Sequence, residues 1–261
     1  MARYTTIECA SEGSIAWIRL NRPTVHNAIN TACLRELQVA LDEARRDQAI
    51  RVIAIAGNGG KAFTAGADIA EMKDKSASEM LDYNRLWLDL LAAIEGVAKP
   101  VIASVHGFAV GGGTELSLAC DFVVCSTEAR FGLAEINIGV IPGAGAAVRL
   151  TRWVGRLKAK EILMLGRLIP GTEAVSLHLA NECVEPASLE DRVRALAAEL
   201  ASKPPLALAA AKASVNTGGE MAQGDGMEYE LARFLQLFDT EDQKEGMRAF
   251  LEKRAPRFEG R

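Results

Sequence analysis

Short apolar runs alternate along the chain with longer stretches whose apolar residues recur every three or four positions. Ile7-Glu8-Cys9 and Ser14 to Leu20 read as two strands joined by a turn at Ser11-Glu12-Gly13. Leu34, Leu37, Leu41 and Ala44 fall on one face of a helix that Asn30 caps and that runs to about Asp47. Val52 to Ala56 is an uninterrupted apolar strand ending in the glycine-rich loop Gly57 to Gly60. A helix is expected from about Ser78 to Ile94, stopped at Gly96, and its Trp87/Leu90/Leu91/Ile94 stripe reads as core or pocket lining. Pro100 then precedes a strand over Val101 to Val105, a glycine-rich turn leads into a short helix, and Asp121 to Cys125 is the next strand. After the loop Gly139 to Gly145 the period is helical again from about Ala147 to Leu165.

This order implies an α/β fold with strands buried on both faces. No sequence self-similarity appears at a fixed period. From about Leu189 the strand signal vanishes, and segments 188–202, 205–215, 220–238 and 241–254 all read as helices. Pro204-Pro205, Gly218-Gly219 and Asp239-Thr240 break them. The shift in composition near residues 186–203 marks the boundary between a core, taken as 1–195, and a helical appendage, 196–261. Such an appendage must cover its apolar faces on its own core or on another subunit.

Composition narrows the partners. The 261 residues are 49% hydrophobic and 25% charged, as in an ordinary globular protein. A net charge of −4 gives no footprint for nucleic acid. No apolar run approaches the length of a membrane span, and the start at Met1 to Thr6 lacks the apolar core of a secretion signal. These features lead to an expectation of a cytoplasmic protein. Five cysteines without paired spacing argue for reduced thiols, and three scattered histidines show no metal-ligand pattern. His106 reads as a structural histidine hydrogen-bonded near a strand end.

The chemistry concentrates in Gly111-Gly112-Gly113-Thr114-Glu115. A helix start presents unpaired N–H groups and the positive end of the macrodipole, and glycine admits a ligand close to that backbone. Helical side chains lean toward the N-terminus, so Glu115 is directed at whatever those N–H groups bind. A flexible turn before a core helix, with a dipole-favoured surface glutamate, fits the same five residues. Phe63-Thr64-Ala65-Gly66-Ala67-Asp68-Ile69 offers a second candidate backbone donor, with Asp68 a potential helix cap. Glu135 follows in the apolar segment Phe131 to Asn137, where a carboxylate must be paired, functional or at the surface. The loop Ile141 to Gly145 is placed to wall the site.

Taken together, Leu20-Asn21-Arg22-Pro23, Asn27-Ala28, Phe63 to Ile69, Gly107 to Asp121, Phe131 to Glu135, Ile141 to Gly145 and Glu245-Gly246-Met247 to Lys253-Arg254 resemble the crotonase superfamily, and within it the enoyl-CoA hydratases. The resemblance implies a crotonase-like spiral of repeated ββα units with a C-terminal helical oligomerisation region. It further implies acyl-CoA thioester substrates and a homotrimer or a hexamer of two stacked trimers. No metal or separate cofactor is implied, coenzyme A being part of the substrate. By motif position, Ala67 and Gly112 match the backbone N–H donors of an oxyanion hole, and Glu115 and Glu135 the two catalytic glutamates. Ala65, Ala67, Asp68, Ile69 and Ala70, with Gly112, match the stretch lining the CoA site, and Phe250 and Lys253 match C-terminal residues that reach CoA. The implied reaction is addition of water to a 2-enoyl thioester. Glu115, near a helix dipole, is expected to stay ionised and take a proton from water, and Glu135 to protonate the α-carbon. Ala146-Ala147-Val148 replaces the Gly-Thr-Gln of many hydratases, Ala134 replaces a common proline, and Leu133 is an altered neighbour. These changes bear on the acyl pocket. An enoyl-CoA isomerase needs only one carboxylate and is the nearest rival, and a non-catalytic acyl-CoA- or RNA-binding member is the alternative of another class.

Overall fold

A computed structural model describes residues 4–261; Met1, Ala2 and Arg3, which entered the reading of the chain start, lie outside the described residues. Strands β1 (Ile7–Glu12) and β2 (Ile15–Leu20) form a hairpin whose turn is Gly13-Ser14, so Gly13 turns as expected while β1 runs on through Ser11 and Glu12. Helix α1 (Thr31–Arg46) starts at Asn30, whose side chain accepts the Cys33 N–H. Then come β3 (Val52–Gly57), β4 (Ala62–Thr64), the single turn α2 (Ile69–Met72) and the long α3 (Ala77–Gly96). Ser76 and Glu79 close a capping box at the start of α3, one residue before the expected boundary.

The next units are β5 (Val101–Val105), β6 (Phe108–Val110) and α4 (Gly112–Ala119), followed by β7 (Phe122–Ser126), β8 (Arg130–Gly132) and α5 (Ala146–Leu165). A short β9 (Leu168–Pro170), α6 (Gly171–Ser176) and β10 (Glu182–Val184) complete the sheets. Four helices follow: α7 (Leu189–Ala201), α8 (Pro205–Asn216), α9 (Gln223–Leu237) and α10 (Glu241–Leu251). No helix among the described residues is long and apolar enough to cross a membrane.

The strands sort into two sheets. The larger has the order β1-β2-β3-β5-β7-β10 and the smaller β4-β6-β8-β9. In three successive units the chain lays one strand in the large sheet, one three-residue strand in the small sheet, then a helix: β3-β4-α3, β5-β6-α4 and β7-β8-α5. This is the ββα winding of the expected spiral. The small sheet has no counterpart in the hydrophobic pattern, because three-residue strands are too short to show a period. Its strands β4, β6 and β8 are parallel, so their C-terminal ends lie side by side. Those ends build the site.

Two apolar layers hold the sheets. One face of the large sheet packs with α1, α3 and α4 through Leu34, Leu37, Trp87, Leu91 and Leu116. The other face, with Trp17, Val52, Ala54 and Ile102, is covered by Leu189, Val193, Leu196, Ala197 and Leu200 of α7. The division drawn at residue 195 therefore falls within a helix that covers the sheet.

The turn between β2 and α1 fastens β4. Asn27 is buried with a left-handed φ of 56°. Its carboxamide oxygen accepts the Arg22 N–H at 2.9 Å, and its nitrogen donates to the carbonyls of Asn58 and Ala62, each at 2.9 Å. Its own carbonyl accepts the Thr64 hydroxyl at 2.7 Å. Asn27→Ala leaves several of these buried groups without partners. We expect the unfolding free energy in urea to fall by about 2–4 kcal/mol; an unchanged midpoint would remove the staple from this account.

Candidate active site

Each small-sheet strand ends beside one element of the site. After β4 the chain passes through Ala65 and Gly66 to Ala67, which pairs with Ile29 as an isolated bridge. Thr64 accepts the Gly66 N–H at 3.0 Å, and Arg22 forms a 2.9 Å ion pair with Asp68, so the turn is fixed from both sides. Asp68 also caps α2 by accepting the Ala70 N–H. The Ala67 N–H has no acceptor among the described residues.

After β6 comes Gly111, with φ 57° and ψ −121°, a conformation costly for any residue with a Cβ. It turns the chain so that Gly112 becomes the first residue of α4, where the N–H has no intrahelical acceptor. A methyl group on Gly112 would lie 2.8 Å from the Trp87 ring and 3.4 Å from the Ala67 nitrogen. Only glycine brings these two backbone segments so close. The Thr114 hydroxyl donates to the Ala109 carbonyl at 2.7 Å and accepts the Gly132 N–H at 3.0 Å, tying the start of α4 to β6 and β8.

After β8 the chain turns through Ala134 into a 3-10 turn, Glu135–Ile138. A Cβ on Gly111 would stand 2.8 Å from Glu135 Oε1, so this carboxyl group rests against the glycine turn. Its Oε2 is buried and has no hydrogen-bond partner among the described residues. Burial, reinforced by repulsion from Glu115, pushes the Glu135 pKa up to about 7.

Glu115, on the first turn of α4, is only 4% exposed. Its Oε1 accepts two backbone N–H groups, from Ala144 at 2.9 Å and Ala146 at 3.1 Å. Ala146 is the first residue of α5, so the carboxylate sits at a second helix N-terminus. Burial raises its pKa, while the two N–H groups and the nearby Arg149 guanidinium oppose that rise. Both glutamates are therefore held above their ordinary range; two N–H groups from the start of α5 and the turn before it favour the charged form of Glu115, whereas Glu135 has only its own backbone N–H to oppose the rise. Because backbone supplies those donors, the Ala146-Ala147-Val148 departure leaves them in place.

The structure thus brings Ala67, Gly112, Glu115 and Glu135 together around the ends of β4, β6 and β8. Ala65, Ile69 and Ala70 are exposed on the rim beyond Ala67, and Asp68 is half-buried in its ion pair. Phe250 and Lys253 lie apart from this group: Phe250 is 82% exposed on α10, and neither shares a hydrogen bond with the four. His106 accepts the Phe63 N–H on its carbonyl and bonds the Gly59 backbone through its ring, but its Nε2 is buried without a partner among the described residues. Asn27, Thr64 and Arg149 support the site without having been singled out for that role. Asn27 and Thr64 stand in the resembling motifs, but local sequence does not show that they bind each other across 37 positions or that Arg149 meets Glu95 across 54.

The enoyl-CoA hydratase/isomerase family profile matches residues 10–261. The chain is 40% identical to crotonyl-CoA hydratase of Syntrophomonas wolfei over 255 residues, covering 98% of each protein. It is 42% identical to a probable enoyl-CoA hydratase of Rhizobium meliloti over 99% of each. Among solved structures, enoyl-CoA hydratase from Bacillus anthracis superposes with a TM-score of 0.95 at 34% identity, covering 98% of this chain and 100% of that one. Sequence and fold agree along nearly the whole length: the chain belongs to the enoyl-CoA hydratase/isomerase family of the crotonase superfamily, as a hydro-lyase of the enoyl-CoA hydratase type.

Proposed function

We propose that this enzyme adds water across the 2,3 double bond of a 2-enoyl-CoA thioester, with Glu115 taking a proton from water and Glu135 delivering one to the α-carbon. The observation that carries this reading is the unequal setting of the two carboxyl groups. Glu115 is bonded by two N–H donors, and Glu135 is half-buried with one buried oxygen, Oε2, that has no partner among the described residues. Attack of water oxygen at C3 drives charge onto the thioester oxygen, where the Ala67 and Gly112 N–H groups receive it. Each such donor contributes about 3 kcal/mol to the transition state. The bond from C2 to the incoming proton forms as the Glu135 O–H breaks. Exchange with solvent water then restores both groups.

The reading calls for no cofactor beyond the CoA carried by the substrate. Exposed Ala65, Ile69 and Ala70 are suited to line the CoA path beside the oxyanion hole, with Asp68 bracing the turn. Phe250 and Lys253 would reach CoA across a subunit boundary. Large apolar residues stand exposed on α9 and α10, among them Phe234, Leu235, Phe250 and Leu251, which supports assembly into trimers through the helical region after residue 195. Sedimentation equilibrium should give a trimer or its double, and a monomer at micromolar concentration would overturn this part.

The test of the chemistry is loss of enoyl thioester absorbance on crotonyl-CoA, with 3-hydroxybutyryl-CoA as product. Glu115→Gln should cut kcat by at least about 100-fold; near-normal turnover would refute its role, and a shifted double bond as sole product would favour the isomerase. The pH dependence has a defined sign. Glu135 must be protonated to act as the acid, so hydration should decline as pH rises through about 7, and Glu115 must be ionised, so it should decline again on the acid side. A rate constant flat from pH 6 to 9 would contradict this assignment.

A further inference from the structure

Arg149 stands behind the clamp that holds Glu115. It lies on the first turn of α5, and its guanidinium is fully engaged in two directions. Nε and Nη2 donate to the two carboxylate oxygens of Glu95, at 2.6 and 2.8 Å, as a bidentate fork. Nη1 donates to the Ala144 carbonyl at 2.8 Å. That carbonyl belongs to the residue whose N–H binds Glu115, and the next residue but one, Ala146, supplies the second N–H. The guanidinium therefore fixes the peptide lying between the two donors. Glu95 is itself anchored on the last turn of α3, where its carbonyl accepts the Asn216 side chain at 3.0 Å. So α3, α5 and the turn at 144–146 meet on one planar cation.

We propose that Arg149, oriented by Glu95, is a positioning residue for the hydration step, setting the Ala144–Ala146 turn so that both N–H groups meet one oxygen of Glu115. It touches no reacting atom. The inference rests on the reading of Glu115 as the group that handles water, and adds to it the origin of that group's orientation and charge.

The charged neighbourhood is defined. Glu115 is faced by Arg149 and by Glu135, and Arg149 by Glu95 and Glu115. On the far side of Glu95 lie Asp121 and Lys212, which pair at 2.7 Å. Arg149 is thus the cation that acts on Glu115, and loosening it weakens both the N–H clamp and the favourable charge. The proton affinity of Glu115 must then rise, so the acid limb of the rate profile moves to higher pH. Lysine cannot reproduce a fork with a third donor in the same plane.

Arg149→Lys and Glu95→Gln should each lower kcat on crotonyl-CoA about 10–100-fold with KM changed less than about threefold. Each should also shift the acid limb upward, by about half a pH unit or more. Added to Glu115→Gln, neither should lower the residual rate further. Thermal melts by circular dichroism identify the folded fraction, and Glu95→Gln provides the test should Arg149→Lys fail to fold. If the folded variants keep the wild-type kcat and acid limb and lose only melting temperature, Arg149 is a packing residue and the proposal is overturned. An active Glu115→Gln enzyme would instead remove the underlying reading, so the two failures are distinct.

Discussion

A carboxylate taken almost wholly out of water must recover from the protein what it loses in hydration. Glu115 does so through two backbone N–H groups and one guanidinium, supplied by the start of α5 and the turn before it, remote in sequence and adjacent in space. Burial without those donors would neutralise it, and the donors without burial would be diluted by solvent. Several structural features serve this balance: the glycine turn that begins α4 against the Ala67 segment, the Gly143 to Ala146 turn that begins α5, and the α3 carboxylate that orients Arg149. Glu135 shows the opposite case. It is half-buried with only its own backbone N–H to favour the charged form, and its pKa is pushed up to about 7.

The ββα winding explains how four groups from distant parts of the chain converge. Each unit pairs a long strand, which contributes to the core, with a three-residue strand that lies parallel to the equivalent strands of the adjoining units, β9 closing the far edge antiparallel to β8. Parallel pairing aligns their C-terminal ends, so whatever follows β4, β6 and β8 meets at one edge. The first end contributes the Ala67 N–H, the second the Gly112 N–H and Glu115, and the third Glu135. This is the arrangement by which parallel sheets commonly gather ligands at their carboxyl ends. The small sheet buries Phe63, Ala109 and Phe131 in the core, and side chains such as Asn27 and Thr114 lock its register by bridging from one backbone segment to the next.

Much of this was legible from residues alone. Asn30 as a cap, the α1 face of Leu34, Leu37 and Leu41, the strand from Val101 to Val105 and the helical character after Leu189 all follow from local chemistry, and each occurs where local chemistry puts it. The glycine run followed by Glu115 marks a helix start with a carboxylate one turn in, and motif resemblance links it to Ala67 and Glu135. What local chemistry missed is equally specific. Strands β4, β6 and β8 are shorter than a readable period, β1 extends through Ser11 and Glu12 where the turn was expected to begin, and α7 covers the sheet across the division drawn at residue 195.

The sequence by itself determined the elements, the buried faces and the identity of the groups able to donate or accept protons, because these depend on side-chain type and on spacings within a few turns of chain. Only the tertiary structure decided how far burial raises each glutamate's pKa and what holds Glu115 in place. Those properties depend on desolvation and on donors lying 29, 31 and 54 residues from their partners, and no local pattern encodes a contact made across such a distance.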